Sequence, residues 1–256
     1  MTRDLEPAEV GLAEEREAGG EEIAGISEWQ YAPPPTVYDQ VRDNLAMRLM
    51  RRTFHAIERQ VMRHYHGLQV KPRATLETAG PSILAANHSS HLDTLAVFAA
   101  LPRGKTNSLC AAAARDYFFA HPLPALVARL LVNAIPLERE GDPRQGLRVC
   151  ADKLAQGNSV LVFPEGSRTR SGEMGVFKPG VVLLARRCKV PVVPVYLAGT
   201  FESLPPWRLV PRGRRISVRY GPPIDYGSDA LRSLKLPDAA KHLQGAVAAL
   251  AMENVP

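Results

Sequence analysis

Beyond residue 67 the chain alternates short apolar runs with segments whose apolar residues recur every three or four positions. These are the periods of buried strands and of amphipathic helices. The runs predict strands at Ser82–Ala86, Ser108–Ala112, Ala134–Glu138, Ser159–Pro164, Val192–Leu197 and Ile216–Tyr220. The helical period predicts helices near His91–Ala100, Pro122–Leu131, Arg144–Gln156, Pro179–Cys188 and Pro237–Met252. Strand and helix in turn imply an α/β fold, a mixed and largely parallel central sheet flanked by helices. No internal repeat and no further domain boundary interrupts residues 67–256.

Ahead of that domain, residues 36–66 read as a basic amphipathic segment. Val41, Leu45 and Leu49 are spaced by four, and Met50, Phe54, Ile57, Val61 and Tyr65 continue at three and four. Between them stand Arg42, Arg48, Arg51, Arg52, Arg59 and Arg63, against only Asp43 and Glu58. Such a helix can lie on an anionic bilayer with its apolar face in the acyl boundary. It can equally pack on the domain with a solvated basic face. Residues 1–35 read as a disordered acidic tail closed by the stiff run Pro33, Pro34 and Pro35.

Charge sharpens this division. Residues 1–28 hold nine acidic side chains and two arginines, so the net +6 of the 256-residue chain leaves +13 for the remainder. The 45% apolar content supports a sizeable core. Cys110, Cys150 and Cys188 are too scattered for a disulfide framework or a cysteine-rich zinc module, and they fit a reducing compartment. No uninterrupted apolar stretch reaches the length of a spanning helix. The acidic N-terminus lacks the pattern of a secretory signal. The expected location is cytoplasmic, peripherally on the cytoplasmic face of a membrane.

The first candidate chemistry is the stretch Asn87-His88-Ser89-Ser90-His91-Leu92-Asp93, between a strand and a helix. A turn followed by one helical turn brings His88 and Asp93 into reach. Asp93 can then accept the His88 Nδ1–H and leave Nε2 as a general base, the base-plus-orienter half of a triad. Two blander readings stand beside it. Ser90 and Asp93 also fit a capping box, and His88, His91 and Asp93 could offer metal ligands, without a further His or Cys cluster to complete a site.

The second is Phe163-Pro164-Glu165-Gly166-Ser167-Arg168. Gly166 permits a sharp turn and a close ligand approach. Arg168 and Arg170 offer fork-shaped donors suited to phosphate, and Ser167 adds a hydroxyl. Glu165 can hold Arg168 or bond a substrate hydroxyl, and Lys178 adds a cation at a helix start. A polar surface turn is the plain alternative.

Together these stretches resemble the PlsC-like glycerolipid acyltransferases, among them 1-acylglycerol-3-phosphate and other lysophospholipid acyltransferases. His88 and Asp93 match that family's histidine–four residues–aspartate motif. Phe163–Arg168 is similar to its third motif, with Ser167 where threonine is frequent. Val190-Pro191-Val192-Val193-Pro194-Val195 resembles its fourth. Asn133-Ala134-Ile135-Pro136-Leu137-Glu138-Arg139 keeps the arginine of the second motif but has Asn133 where glycine is common and Pro136 where an aromatic is common. The resemblance covers roughly residues 67–225.

The resemblance implies a glycerol-3-phosphate acyltransferase-like fold and transfer of a fatty acyl group from acyl-CoA or acyl-ACP to a lysophospholipid hydroxyl, in phospholipid biosynthesis. It implies no resident cofactor and no metal; the acyl thioester is a co-substrate. His88 is the implied base and Asp93 its orienter. Glu165, Gly166, Ser167 and Arg168 are the implied acceptor site, with Arg139 sharing the phosphate charge. An anionic membrane surface is the expected partner. Trp207-Arg208-Leu209, Arg212, Arg214, Arg215 and Arg219 are expected to join the first helix as a docking face, with Phe201, Leu204 and Trp207 as anchors. Rival functions are an acyltransferase or transacylase for another lyso-lipid or glycolipid, a thioesterase-like hydrolase, and a silent lipid-binding module. The arginines lack an interleaved aromatic platform, which argues against nucleic acid.

Overall fold

The computed structural model describes residues 45–71, 80–114, 122–137 and 143–252. The acidic tail, Val41, Arg42, Asp43 and Arg139 lie outside the described residues. Seven strands form one sheet: β1 Gln69–Lys71, β2 Ile83–Ala86, β3 Leu109–Ala114, β4 Ile135–Leu137, β5 Ser159–Val162, β6 Val192–Ala198 and β7 Ser217–Tyr220. Their order is β1-β7-β6-β2-β5-β3-β4. From β6 to β4 the strands are parallel, whereas β7 is antiparallel to β6 and carries β1 parallel to itself. The sheet is therefore mixed and largely parallel. β1 is the strand that periodicity missed, because three residues are too few to carry a pattern; its pairing with Ser217–Arg219 makes it a strand.

The helices are α1 Leu45–His64, α2 Asp93–Ala100, α3 Pro122–Val132, α4 Pro143–Ala155, α5 Gly180–Cys188, the single turns α6 Thr200–Ser203 and α7 Asp229–Arg232, and α8 Leu236–Met252. All four residues of β2 are buried, with Leu84 and Ala86 on one face and Ile83 and Ala85 on the other. A parallel strand covered on both sides has no polar face to alternate with. One core joins the sheet to α2 and Met62 of α1; the other joins it to α4, α5 and α8. Asn133, ahead of β4, has φ +49°. Asparagine is one of the few residues that tolerate the left-handed region, which accounts for its standing where glycine is common.

α1 is the expected amphipathic helix, but it packs with its polar side inward. Arg51, His55, Glu58 and Met62 are buried, while Leu45, Leu49, Met50, Ile57, Val61 and Tyr65 are 48–72% exposed. Arg51 donates to the carbonyls of Leu130 and Arg129 at 2.9 and 3.1 Å, at the end of α3. Arg59 donates to the Leu101 carbonyl at 2.7 Å, at the end of α2. Guanidinium groups at helix C-termini satisfy orphan carbonyls and complement the dipole. His55 bonds Glu58 and the Leu131 carbonyl and stacks on Phe98. Burial pushes the Glu58 carboxyl above its usual range. The segment packs on the domain, but through Arg51, His55 and Glu58 rather than with its basic face solvated, and its apolar residues are left exposed.

Candidate active site

The parallel order β5-β2-β6 sets the C-terminal ends of three adjacent strands at one edge of the sheet, where open α/β sheets place their ligands. β2 runs into Asn87–Asp93, β5 into Phe163–Arg168, and β6 into Gly199–Trp207. The two candidate stretches, 77 residues apart in sequence, thus become neighbours through strand pairing. Asn87 sets the first turn in place: its amide donates to the Leu197 carbonyl at 3.0 Å and accepts the Leu197 N–H at 2.7 Å. Those two bonds imitate a backbone pair and clamp the end of β2 to β6.

His88 Nδ1 lies 2.9 Å from Asp93 Oδ2. The same oxygen accepts the N–H groups of Ser89 and Ser90 at 2.6 and 2.7 Å. An ionised carboxylate can only accept, so Nδ1 carries the proton and Nε2 is the free lone pair. The capping box does not form: the helix starts at Asp93 with Leu92 at its N-cap and no side-chain cap bond. The Ser90 hydroxyl instead accepts the Leu92 N–H at 3.0 Å and donates to the Leu204 carbonyl at 2.6 Å. Asp93 is fully buried, whereas 17% of the His88 side chain reaches solvent. Phe163 stacks on the imidazole, centroids 3.9 Å apart and planes at 15°. That contact fixes the plane of the ring.

Glu165 bonds backbone N–H groups rather than Arg168. Its Oε1 accepts the His88 N–H at 2.7 Å and its Oε2 accepts the Gly175 N–H at 2.8 Å. The carboxylate joins the histidine turn to the far side of the loop that follows β5. Burial raises its pKa, partly offset by these two N–H donors. The His88 carbonyl in turn accepts the Thr169 N–H at 3.0 Å, so the histidine backbone is held from both sides. A Cβ at Gly175 would stand 2.9 Å from Glu165 Oε2, so a side chain there would have to push the carboxylate aside.

Gly166 has φ +78°, the left-handed region glycine enters freely. The Lys178 ammonium lies against it, 2.8 Å from where a Cβ would be. Ser167 is exposed at the tip of this bend and Arg168 is half-buried. The guanidinium of Arg168 contacts the His91 ring. The bend thus sets Arg168 against His91, three residues from His88, and Lys178 against Gly166. Sequence reasoning gave no role to Asn87, Phe163 or His91 as partners; an amide, an aromatic and an imidazole beside the quoted residues were the only signals. Among the described residues no group of three His, Cys, Asp or Glu could hold a metal ion.

The family described as Acyltransferase matches residues 63–198. A chloroplastic 1-acyl-sn-glycerol-3-phosphate acyltransferase of Arabidopsis thaliana is 34% identical over 128 residues, 49% of this chain and 34% of its own length. The beta form of the human 1-acyl-sn-glycerol-3-phosphate acyltransferase is 27% identical over 136 residues, 52% of this chain and 48% of its own. The chain thus spans between a third and a half of the length of these relatives. The crystal structure of the 1-acyl-sn-glycerophosphate acyltransferase PlsC from Thermotoga maritima shares the fold. Its TM-score is 0.61 at 20% identity, over 82% of this chain and 81% of that one.

Proposed function

This chain belongs to the acyltransferase family, whose match takes in more than half of its residues, and from that premise we propose that it transfers a fatty acyl group from a thioester to the free hydroxyl of a lysophospholipid such as 1-acylglycerol-3-phosphate, a step of phospholipid synthesis. The observation that carries the reading is the His88–Asp93 pair at 2.9 Å, opening beside a bend that bears Ser167, Arg168 and Lys178. An alcohol attacks a thioester slowly unless its proton is removed as the bond forms, and a positioned base contributes about 10²–10⁴-fold. His88 Nε2 takes that proton. Asp93 holds the tautomer and stabilises the imidazolium that results. The carbon–sulfur bond breaks as the ester forms, and the thiol leaves with the proton returned by His88. Arg168 and Lys178 hold the acceptor phosphate, with Arg139 as the remaining cation of the expected set. Holding the hydroxyl against both base and thioester supplies the orientation term. The donor is acyl-CoA or acyl-ACP; no protein nucleophile is needed, because the thioester is already activated.

The substrate's bilayer is the proposed partner. α1 turns its apolar side outward, and Trp207, Leu209 and Val210 are 65–97% exposed. Arg212, Arg214 and Arg215 flank this tip and are exposed, each worth about 1 kcal/mol on an anionic surface before screening. Two residues leave the expected docking face: Leu204 is buried, and Arg219 donates to the Leu250 and Ala251 carbonyls at the end of α8. Phe201 packs edge-on to Trp207. No described helix is long and apolar enough to cross a membrane. Replacing Ile57 and Val61 together by Glu is expected to weaken co-sedimentation with phosphatidylglycerol vesicles at least tenfold; unchanged partitioning refutes the docking role of α1.

Mass spectrometry of products made from mixed acyl-CoA and a panel of lyso-lipids tests the activity. A diacyl product with one preferred acceptor is expected. Thioester cleavage without any lipid product would favour the hydrolase, and no turnover with intact lipid binding would favour the silent module.

A further inference from the structure

His91 sits in the histidine turn, yet its ring serves the opposite loop. The Arg168 guanidinium lies against the ring, its Nη1 in contact with both ring nitrogens, and the Pro206 carbonyl, in the segment after α6, is a hydrogen-bond acceptor beside the ring. These two neighbours determine which form of the ring fits. A guanidinium offers only donors and a carbonyl only lone pairs. A neutral imidazole has one N–H and one lone pair, and so satisfies both. An imidazolium would turn a second donor and a like charge toward Arg168. Among the described residues, charged and titratable groups acting on the ring include Arg168 from the loop after β5, and His88 and Asp93 from its own turn. Partial burial, and then the Arg168 charge, hold the imidazole below the ordinary histidine value. Burial and the guanidinium charge thus favour the neutral form, against the Pro206 carbonyl and the Asp93 charge, which favour the imidazolium.

Resting on the reading of Arg168 as the acceptor-phosphate ligand, we propose that His91 is the positioning residue that aims this guanidinium and ties its aim to the seat of segment 204–206. Ser90 makes the second tie through the Leu204 carbonyl, 2.6 Å from its hydroxyl. The exposed tip Trp207–Val210 begins one residue after Pro206. The grip on the phosphate is therefore set where three strand ends meet, and an arginine already held loses less freedom when it binds an anion. His91 does no chemistry on the acyl group; it acts through Arg168.

Steady-state kinetics of the full chain, with 1-acylglycerol-3-phosphate in mixed vesicles and a long-chain acyl-CoA, test this. His91→Leu keeps the bulk but neither hydrogen-bonding group. It is expected to raise the acceptor KM about tenfold, with kcat and the acyl-CoA KM within about twofold. His91→Gln carries one acceptor and one donor group on its amide, and is expected to recover most of that loss. In an Arg168→Ala background His91→Leu is expected to add nothing, because the residue it works through is gone. As pH falls below 6.5 the acceptor KM is expected to rise more steeply in the parent than in His91→Leu, since only the parent can place an imidazolium against Arg168. Equal losses in kcat and both KM values, or additive losses in the double variant, overturn the proposal. Titration with sn-glycerol 3-phosphate, followed by phosphorus NMR, reads the grip without turnover. A parent that binds this probe at least fivefold better than His91→Leu supports the proposal even if acyl transfer is absent, whereas equal binding by the two chains overturns it.

Discussion

The turn Asn87–Asp93 and the loop Phe163–Lys178 each bring one buried carboxylate to the same histidine, and they spend it in different ways. Asp93 places one oxygen against the imidazole and two N–H groups of its own turn, all within five residues. Glu165 never touches the ring in this arrangement; it takes the His88 N–H from 77 residues away and the Gly175 N–H from ten. A carboxylate on the ring governs which nitrogen carries the proton, hence the chemistry. A carboxylate on the backbone governs where the histidine stands. The difference separates a residue whose loss changes reactivity from one whose loss changes position.

Substitutions can break or sharpen that contrast. His88→Ala is expected to lower turnover about 10²–10⁴-fold with little change in thermal midpoint, since the side chain is partly exposed; near-parental turnover removes the premise. Asp93→Asn can keep a neutral oxygen on Nδ1, Ser89 and Ser90, which share one Asp93 oxygen, but it removes the charge that stabilises the imidazolium. Turnover is expected to fall about 10²-fold or more with an unchanged acceptor KM, read by the same assay. Glu165→Gln can accept only one of its two N–H partners, and its NH₂ group opposes the other. A fall of about tenfold in kcat, with a stability loss on the order of 1–3 kcal/mol in urea unfolding, is expected. Should Glu165→Gln cost more activity than Asp93→Asn, the division of labour is reversed. The mildest probe is Gly175→Ala, whose Cβ would stand 2.9 Å from Glu165 Oε2. It strains the tether without removing it, and roughly threefold less activity is expected; no change would mean the loop yields freely.

The same contrast explains what could be read ahead of the structure. His88 and Asp93 are five residues apart at a strand-to-helix turn, so local geometry alone brings them together, and the expected pair forms. The buried strands were equally legible, because four or more consecutive apolar residues leave few alternatives. Glu165 was visible as a residue but not in its partners. Backbone N–H groups carry no sequence signature, and the contact depends on β2 and β5 lying side by side. Arg168 was likewise singled out, whereas its neighbour His91 emerged only when the two loops met.

α1 and α8 show where pattern runs out. Both are amphipathic, and α8 buries Ala239, Ala240, Leu243, Val247 and Leu250 in the usual way. α1 does the reverse, burying Arg51, His55 and Glu58. Periodicity reports that a helix has two faces and says nothing of which one meets the protein. That choice fell to the carbonyls at the ends of α2 and α3, which need donors, and those donors lie on the arginine side of α1.

By itself the amino-acid sequence determined the alternation of strands and helices, the His88–Asp93 pair and the bend around Gly166, since each rests on interactions among residues close in the chain. Tertiary structure alone decided that Glu165 anchors the histidine backbone, that His91 meets Arg168, and that α1 shows its apolar side to the outside. Those outcomes depend on the register of parallel strands and on which orphaned backbone groups a packed neighbour must satisfy.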